Sequence, residues 1–185
     1  MNTRDSELRN QSLSTGGRIS EPREFLDFPE IVRGMKGELR CLLRENIRLR
    51  IVARYAAGGP AKTYRGEIRD LIRHLVLDAR DAMPAGGALY ILTGNVALGA
   101  EYARMHPEVP PGNYAMLTIR DTGDGSNAAS LETLGHTVRI RKDRSLGLVA
   151  CYNVIDQLGG HVCVSRHAAE TVIKIYLPCG RPSHR

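Results

Sequence analysis

The chain has 185 residues, 42% of them hydrophobic and 25% charged, with no tryptophan and a formal net charge of +6. That size suits one soluble globular domain burying roughly two-thirds of its unfolded surface, and the absence of any apolar run of ~18 residues argues against a membrane span. Positive charge favours acidic partners, either a protein surface or nucleic acid. The arginines are dispersed, however, and only Arg139–Arg144 (RIRKDR) forms a compact basic cluster, with no interleaved aromatics for stacking.

Residues 1–24 are rich in Ser, Thr, Gly, Asn and charge, without an apolar leader, and read as a mobile tail ahead of a domain that starts near Phe25. The expected location is cytoplasmic. From Phe28 to Arg44 the residues Ile31, Met35, Leu39, Leu42 and Leu43 recur at helical intervals. Ile47–Tyr55 (IRLRIVARY) alternates apolar and polar residues, as a strand does, and AAGGPAK then breaks the chain. The next helix, Tyr64–Met83, carries Ile68, Leu71, Ile72, Leu75, Ala79, Ala82 and Met83 on one face, with Glu67, His74, Asp78 and Asp81 as a second stripe beside it.

Strands are expected at Ala88–Val96 and Tyr114–Arg120, separated by a proline-rich loop containing HPEVPPGN. DTGDG follows the second strand directly. A short helix at Asn127–Leu134, a polar loop, a helix at Leu146–Leu158 and strands at His161–Ser165 and Thr171–Leu177 complete the expected elements, with residues 179–185 as a C-terminal tail. This order favours an α/β (α+β) two-layer sandwich over a doubly wound parallel sheet. The four cysteines, Cys41, Cys151, Cys163 and Cys179, have no CxxC spacing and read as buried or free thiols. His106, His136, His167 and His184 show no metal-ligand spacing, and His161 reads as structural.

Four segments in order, HLVLDARDAMPAGGALYILTGN, YAMLTIRDTGDG, SLGLVACYNVIDQLGGHVCV and TVIKIYLP, resemble the catalytic ATP-binding domain of bacterial sensor histidine kinases. The resemblance covers residues 25–178 and implies a Bergerat-type mixed sheet covered on one face by helices. It also implies ATP and Mg²⁺ as cofactors, and a signalling protein such as a response regulator or kinase as partner, with no membrane association.

The departures from the family pattern concentrate where metal and phosphate are handled. In the family's pattern N-L-x-x-N-A-R-D-A-M-P the second asparagine coordinates Mg²⁺; here His74 takes the place of the first asparagine and Asp78 that of the second. Asp78 is a suitable oxygen ligand for Mg²⁺. Without the metal it would oppose phosphate, by about 1 kcal/mol at ~4 Å in water and about 4 kcal/mol at an effective dielectric near 20. The D-x-G-x-G box is intact as Asp121, Gly123 and Gly125, the aspartate being the family's adenine-recognition residue. As residues alone, the same stretch also reads as a strand-end turn.

The lid departs furthest: GHTVRIRK and DRSLGL replace a phenylalanine-rich segment and a glycine box, leaving Gly147 of the box, with Lys142 and Arg144 as cationic substitutes. Residues 1–24 are not expected to form the family's phosphoacceptor helix pair, and no catalytic residue is assigned. His74 is expected to be partly buried and hydrogen-bonded.

Three functions follow from this sequence. The first is a degenerate histidine-kinase-like domain in bacterial signalling, acting by protein contact with weak or lost ATP and Mg²⁺ binding. The second is an ATP- and Mg²⁺-dependent protein kinase acting in trans on a partner. The third, from another class, is a basic nucleic-acid-binding module using Arg139, Arg141, Lys142 and Arg144.

Overall fold

The computed structural model describes residues 23–54, 59–123, 131–134, 137–140, 146–167 and 170–180, with backbone alone at 131–134, 137–140, 146–151 and 166–167. Its elements are β1 (Glu24–Leu26), α1 (Phe28–Leu42), β2 (Ile47–Ala53), β3 (Ala61–Thr63), α2 (Arg65–Asp81) and β4 (Gly87–Leu98), then α3 (Ala100–Met105) and β5 (Gly112–Asp121). They are followed by β6 (Leu131–Leu134), β7 (Thr137–Ile140), α4 (Leu146–Gln157), β8 (His161–His167) and β9 (Glu170–Pro178).

Five strands form a mixed sheet in the order β2-β4-β5-β9-β8. β2 and β4 are parallel, as a crossover through α2 requires, and the remaining pairs are antiparallel. α1 begins with Pro29 in its first turn, where the missing N–H costs nothing, and buries Ile31, Val32, Met35 and Leu39. α2 buries Ile68, Leu71, Ile72, Leu75, Val76 and Ala79. Each such side chain contributes about 1.5–3 kcal/mol on full burial. Gly86 turns the chain from α2 into β4 with φ +94, and a Cβ there would stand 2.6 Å from the Asn46 carbonyl oxygen.

Strand periodicity divides the packing between two faces. Ala115, Leu117 and Ile119 of β5 and Ile173, Ile175 and Leu177 of β9 join the main core with α1 and α2. Tyr114 and Met116, with Tyr176, belong to a separate cluster with Leu98, Tyr102, Val109 and Cys163. Alternation puts this second cluster on the opposite face of the sheet. The two-layer sandwich expected from the sequence is therefore present, with an addition: α3 and the loop after it cover one end of the outer face.

Several local expectations are corrected. Leu131–Leu134 is strand, not the end of a helix; it pairs with Thr137–Ile140, which lies where a polar loop was expected. The β-branched residues Thr137, Val138 and Ile140, separated from Leu134 by two residues, carry the hairpin signal. α3 arises within the stretch read as loop, and β1 pairs with β3 inside a stretch read as a break. Cys179 bridges Ala61 and the Gly180 N–H donates to the Pro60 carbonyl, which ties the residues after β9 to those before β3. Cys41, Cys163 and Cys179 are free thiols, Cys41 exposed.

Candidate functional site

β5 ends at Asp121, whose odd position places it on the helix-covered face with Leu117 and Ile119. The residue is 5% exposed, and its Oδ1 accepts the Gly123 N–H at 2.9 Å. This local turn fixes the carboxylate before any ligand arrives. Thr122 holds the turn to β4: its N–H donates to the Ala88 carbonyl at 3.2 Å, and its hydroxyl accepts the Ala88 N–H at 3.0 Å. Gly123 lies against the end of α2, where a Cβ would stand 2.4 Å from the Ala82 carbonyl oxygen. Only glycine lets strand end and helix end approach so closely.

Directly across the ladder from Asp121 is Thr171, which is 3% exposed and whose Oγ1 has no hydrogen-bond partner. Cross-strand neighbours share a face, so a buried carboxylate and an unsatisfied hydroxyl stand side by side. An unmet buried hydroxyl costs roughly 1–3 kcal/mol, which a polar ligand at this end of the sheet would offset. Sequence reasoning missed Thr171 because a threonine in a strand is an ordinary β former; only the β5–β9 register makes it a neighbour of Asp121.

The second element is α2. Advancing about 100° per residue, Asp78 stands closer to the centre of the buried face than His74, by roughly 40°. Asp78 is accordingly half-buried and His74 exposed, which corrects the expectation of a partly buried His74. The Asp78 carbonyl accepts the N–H of Ala82, the residue that meets Gly123, so Asp78 lies one helical turn behind that contact.

α4 packs beside α2. Its first turn contains Gly147, and the N–H groups of a helix start are suited to anions. Asp121, Gly123, Asp78 and the start of α4 thus belong to elements that meet on one face of the sheet. Gly125, Arg141, Lys142 and Arg144 lie outside the described residues, as does the side chain of Arg139.

The residues present fit an adenine nucleotide at its base end. Asp121 is buried and oriented as an acceptor, and Thr171 has unused hydrogen-bonding capacity. Asp78 offers a single carboxylate for Mg²⁺, an ion that completes its shell with phosphate oxygens and water rather than with a protein cage.

A different surface gathers the charge that looked dispersed. Arg33, Lys36 and Arg40 of α1 and Arg50 of β2 line a groove of about 430 Å³ over Leu49 and Ile51, continued by Arg44 and Arg48. Residues far apart in sequence converge there because α1 packs beside β2.

Comparison with known proteins gives the class. No family model matches the chain. The sensor kinase CckA of Brucella abortus (strain 2308) is 31% identical over 181 residues, 95% of this chain and 19% of that protein, so the chain spans about a fifth of its relative. The mycobacterial sensor histidine kinase MprB matches with a TM-score of 0.59 and 19% identity, over 84% of this chain and 97% of that one. Full-length ShkA matches with a TM-score of 0.55 and 16% identity, over 88% of this chain and 32% of that one. The chain has the α+β fold of histidine-kinase catalytic domains, a mixed five-stranded sheet with helices. Among the described residues no helix is long and apolar enough to cross a membrane.

Proposed function

We propose that residues 25–178 form a degenerate histidine-kinase-like domain that serves bacterial signal transduction through protein contacts and binds ATP and Mg²⁺ weakly or not at all. One observation carries this reading. Asp121 is buried and accepts the Gly123 N–H, which supports a retained base contact, while α2 carries an exposed His74 and a half-buried carboxylate residue, Asp78, where the family pattern has asparagines. A carboxylate beside phosphate is tolerated only through a bridging cation. The partner is a response regulator or kinase, and the basic groove between α1 and β2 supplies a surface for an acidic one. CckA supports this assignment by its name as a sensor kinase.

The second reading, an ATP- and Mg²⁺-dependent kinase acting in trans, is favoured by the same intact Asp121 turn and by the AMPPNP held in the ShkA structure. In it Asp121 and Thr171 would hold the base and Asp78 the metal. Calorimetric titration with ATP and ADP, with and without Mg²⁺, on the wild type and Asp121→Ala separates the two. Dissociation constants near or above about 1 mM, worth no more than about 4 kcal/mol, are expected for the protein-contact domain. Micromolar, Mg²⁺-dependent binding that Asp121→Ala abolishes would overturn it in favour of the kinase.

A further inference from the structure

At the far end of the sheet, on the face opposite Asp121, the structure brings together His106, Glu108 and His161, which no spacing in the sequence connects. His106 ends α3, Glu108 lies in the turn that follows, and His161 opens the edge strand β8 opposite Tyr176. Fifty-five positions in sequence separate the two imidazoles; in space their centroids are 5.0 Å apart.

We propose that His106, Glu108 and His161 form a divalent transition-metal site, suited to Zn²⁺, that clasps the β4–β5 connection onto the edge strand β8. One ligand atom from each residue lies within 4.8 Å of the other two. Glu108 Oε1 is 3.7 Å from His106 Nδ1 and 3.6 Å from His161 Nδ1. Those separations are too long for hydrogen bonds and close to the ~3.4 Å edge of a tetrahedron with bonds of about 2.0–2.1 Å. The gaps are the width of a cation.

The surroundings favour the same occupant. The imidazole of His161 is walled by Tyr102 and Tyr176, and His106 stacks on Tyr102 with centroids 4.3 Å apart, so neither ring is free to swing away. The histidine side chains are 14% and 10% exposed and the glutamate 50%, which leaves the carboxylate at a rim where an ion enters and water supplies a fourth ligand. Two imidazoles with one carboxylate select Zn²⁺ and similar ions over Mg²⁺. The site shares no residue with the candidate nucleotide site and does not depend on it.

The test is titration of the chelator-treated full chain with Zn²⁺ against a chromophoric chelator, paired with the visible spectrum after Co²⁺ substitution. One Zn²⁺ per chain is expected, with tetrahedral Co²⁺ bands and no thiolate charge transfer. Glu108→Gln and His106→Asn should each weaken binding at least tenfold, while His74→Ala leaves it unchanged. Circular dichroism confirms folding, and Glu108, half-exposed, is the variant least able to disturb it. Absent stoichiometric binding, binding indifferent to Glu108→Gln, or a thiolate band that assigns the metal to cysteine would each overturn the site.

Discussion

β5 has two ends with different chemistry. At Asp121 it meets Thr171 on the helix-covered face, in a turn closed by Gly123. At Tyr114 it enters the outer cluster with Tyr102 and Tyr176, beside His106 and His161. The turn at the first end is built locally, by the consecutive residues Asp121, Thr122 and Gly123. The second is assembled from α3, the loop after it and the edge strand β8, and no short stretch of sequence contains it. Motifs report sites made by neighbours in sequence; registers and loop packing make the others.

The largest test of that contrast is Gly123→Ala. Its Cβ would meet the Ala82 carbonyl at 2.4 Å, so the turn must shift or the helix end must yield. Overpacking of this kind costs about 1–3 kcal/mol, and a chain of this size loses about 2–4 °C of melting temperature per kcal/mol. Thermal unfolding by circular dichroism should show that loss while Zn²⁺ titration at the other end stays unchanged. An unaltered melting temperature would mean that strand end and helix end are not locked together.

Thr171→Val should act in the other direction and more weakly. It removes a buried hydroxyl that has no partner and keeps the shape, so melting in the absence of nucleotide should hold steady or rise, by up to about 1 kcal/mol. A clear loss of stability would show that the hydroxyl is already satisfied and is not spare capacity for a ligand.

The smallest effect belongs to the clamp between α1 and α2, away from both ends. Glu38 receives Arg69 at 2.8 Å and is hydrogen-bonded by Arg73, which in turn pairs with Asp70. The Arg73 hydrogen bond first, then the charges of Arg73 and Arg69, hold the Glu38 carboxyl below its ordinary 4.5. A depressed folded value means that stabilisation is complete above about pH 4.5 and is lost as pH falls through the folded value. The pair is partly exposed and worth about 0–1 kcal/mol, so Glu38→Gln should lower stability slightly at pH 7 and converge with the wild type in acid. Urea midpoints at pH 7 and pH 3 check it; equal differences at both would refute the charge origin.

The legible parts were those with a strong period or a local signature. The apolar stripe of α2 predicted a helix over Tyr64–Met83, and Ile68, Leu71, Ile72, Leu75, Ala79, Ala82 and Met83 are all buried. α1, β2, β4, β5, α4, β8 and β9 follow from the same reasoning with ends displaced by a few residues, where fraying and pairing decide the boundary. β1 and β3 were hidden because three residues carry too little period to read. The helix expected over Asn127–Leu134 failed where its last residues joined a hairpin with Thr137–Ile140, an override of local pattern by partner.

What the sequence determined by itself is the frame: one amphipathic helix per apolar stripe, strands wherever the period falls to two, and a glycine-bearing turn after Asp121. Those features depend on residues a few positions apart, and side-chain period and turn chemistry act at that range. The tertiary structure alone decided which distant groups meet. It set Thr171 beside Asp121 by strand register, gathered the basic groove from α1 and β2, and brought His161 to His106 across the outer face. Such neighbours are fixed by the packing of whole elements, whose geometry is a sum over the core and is written at no single position.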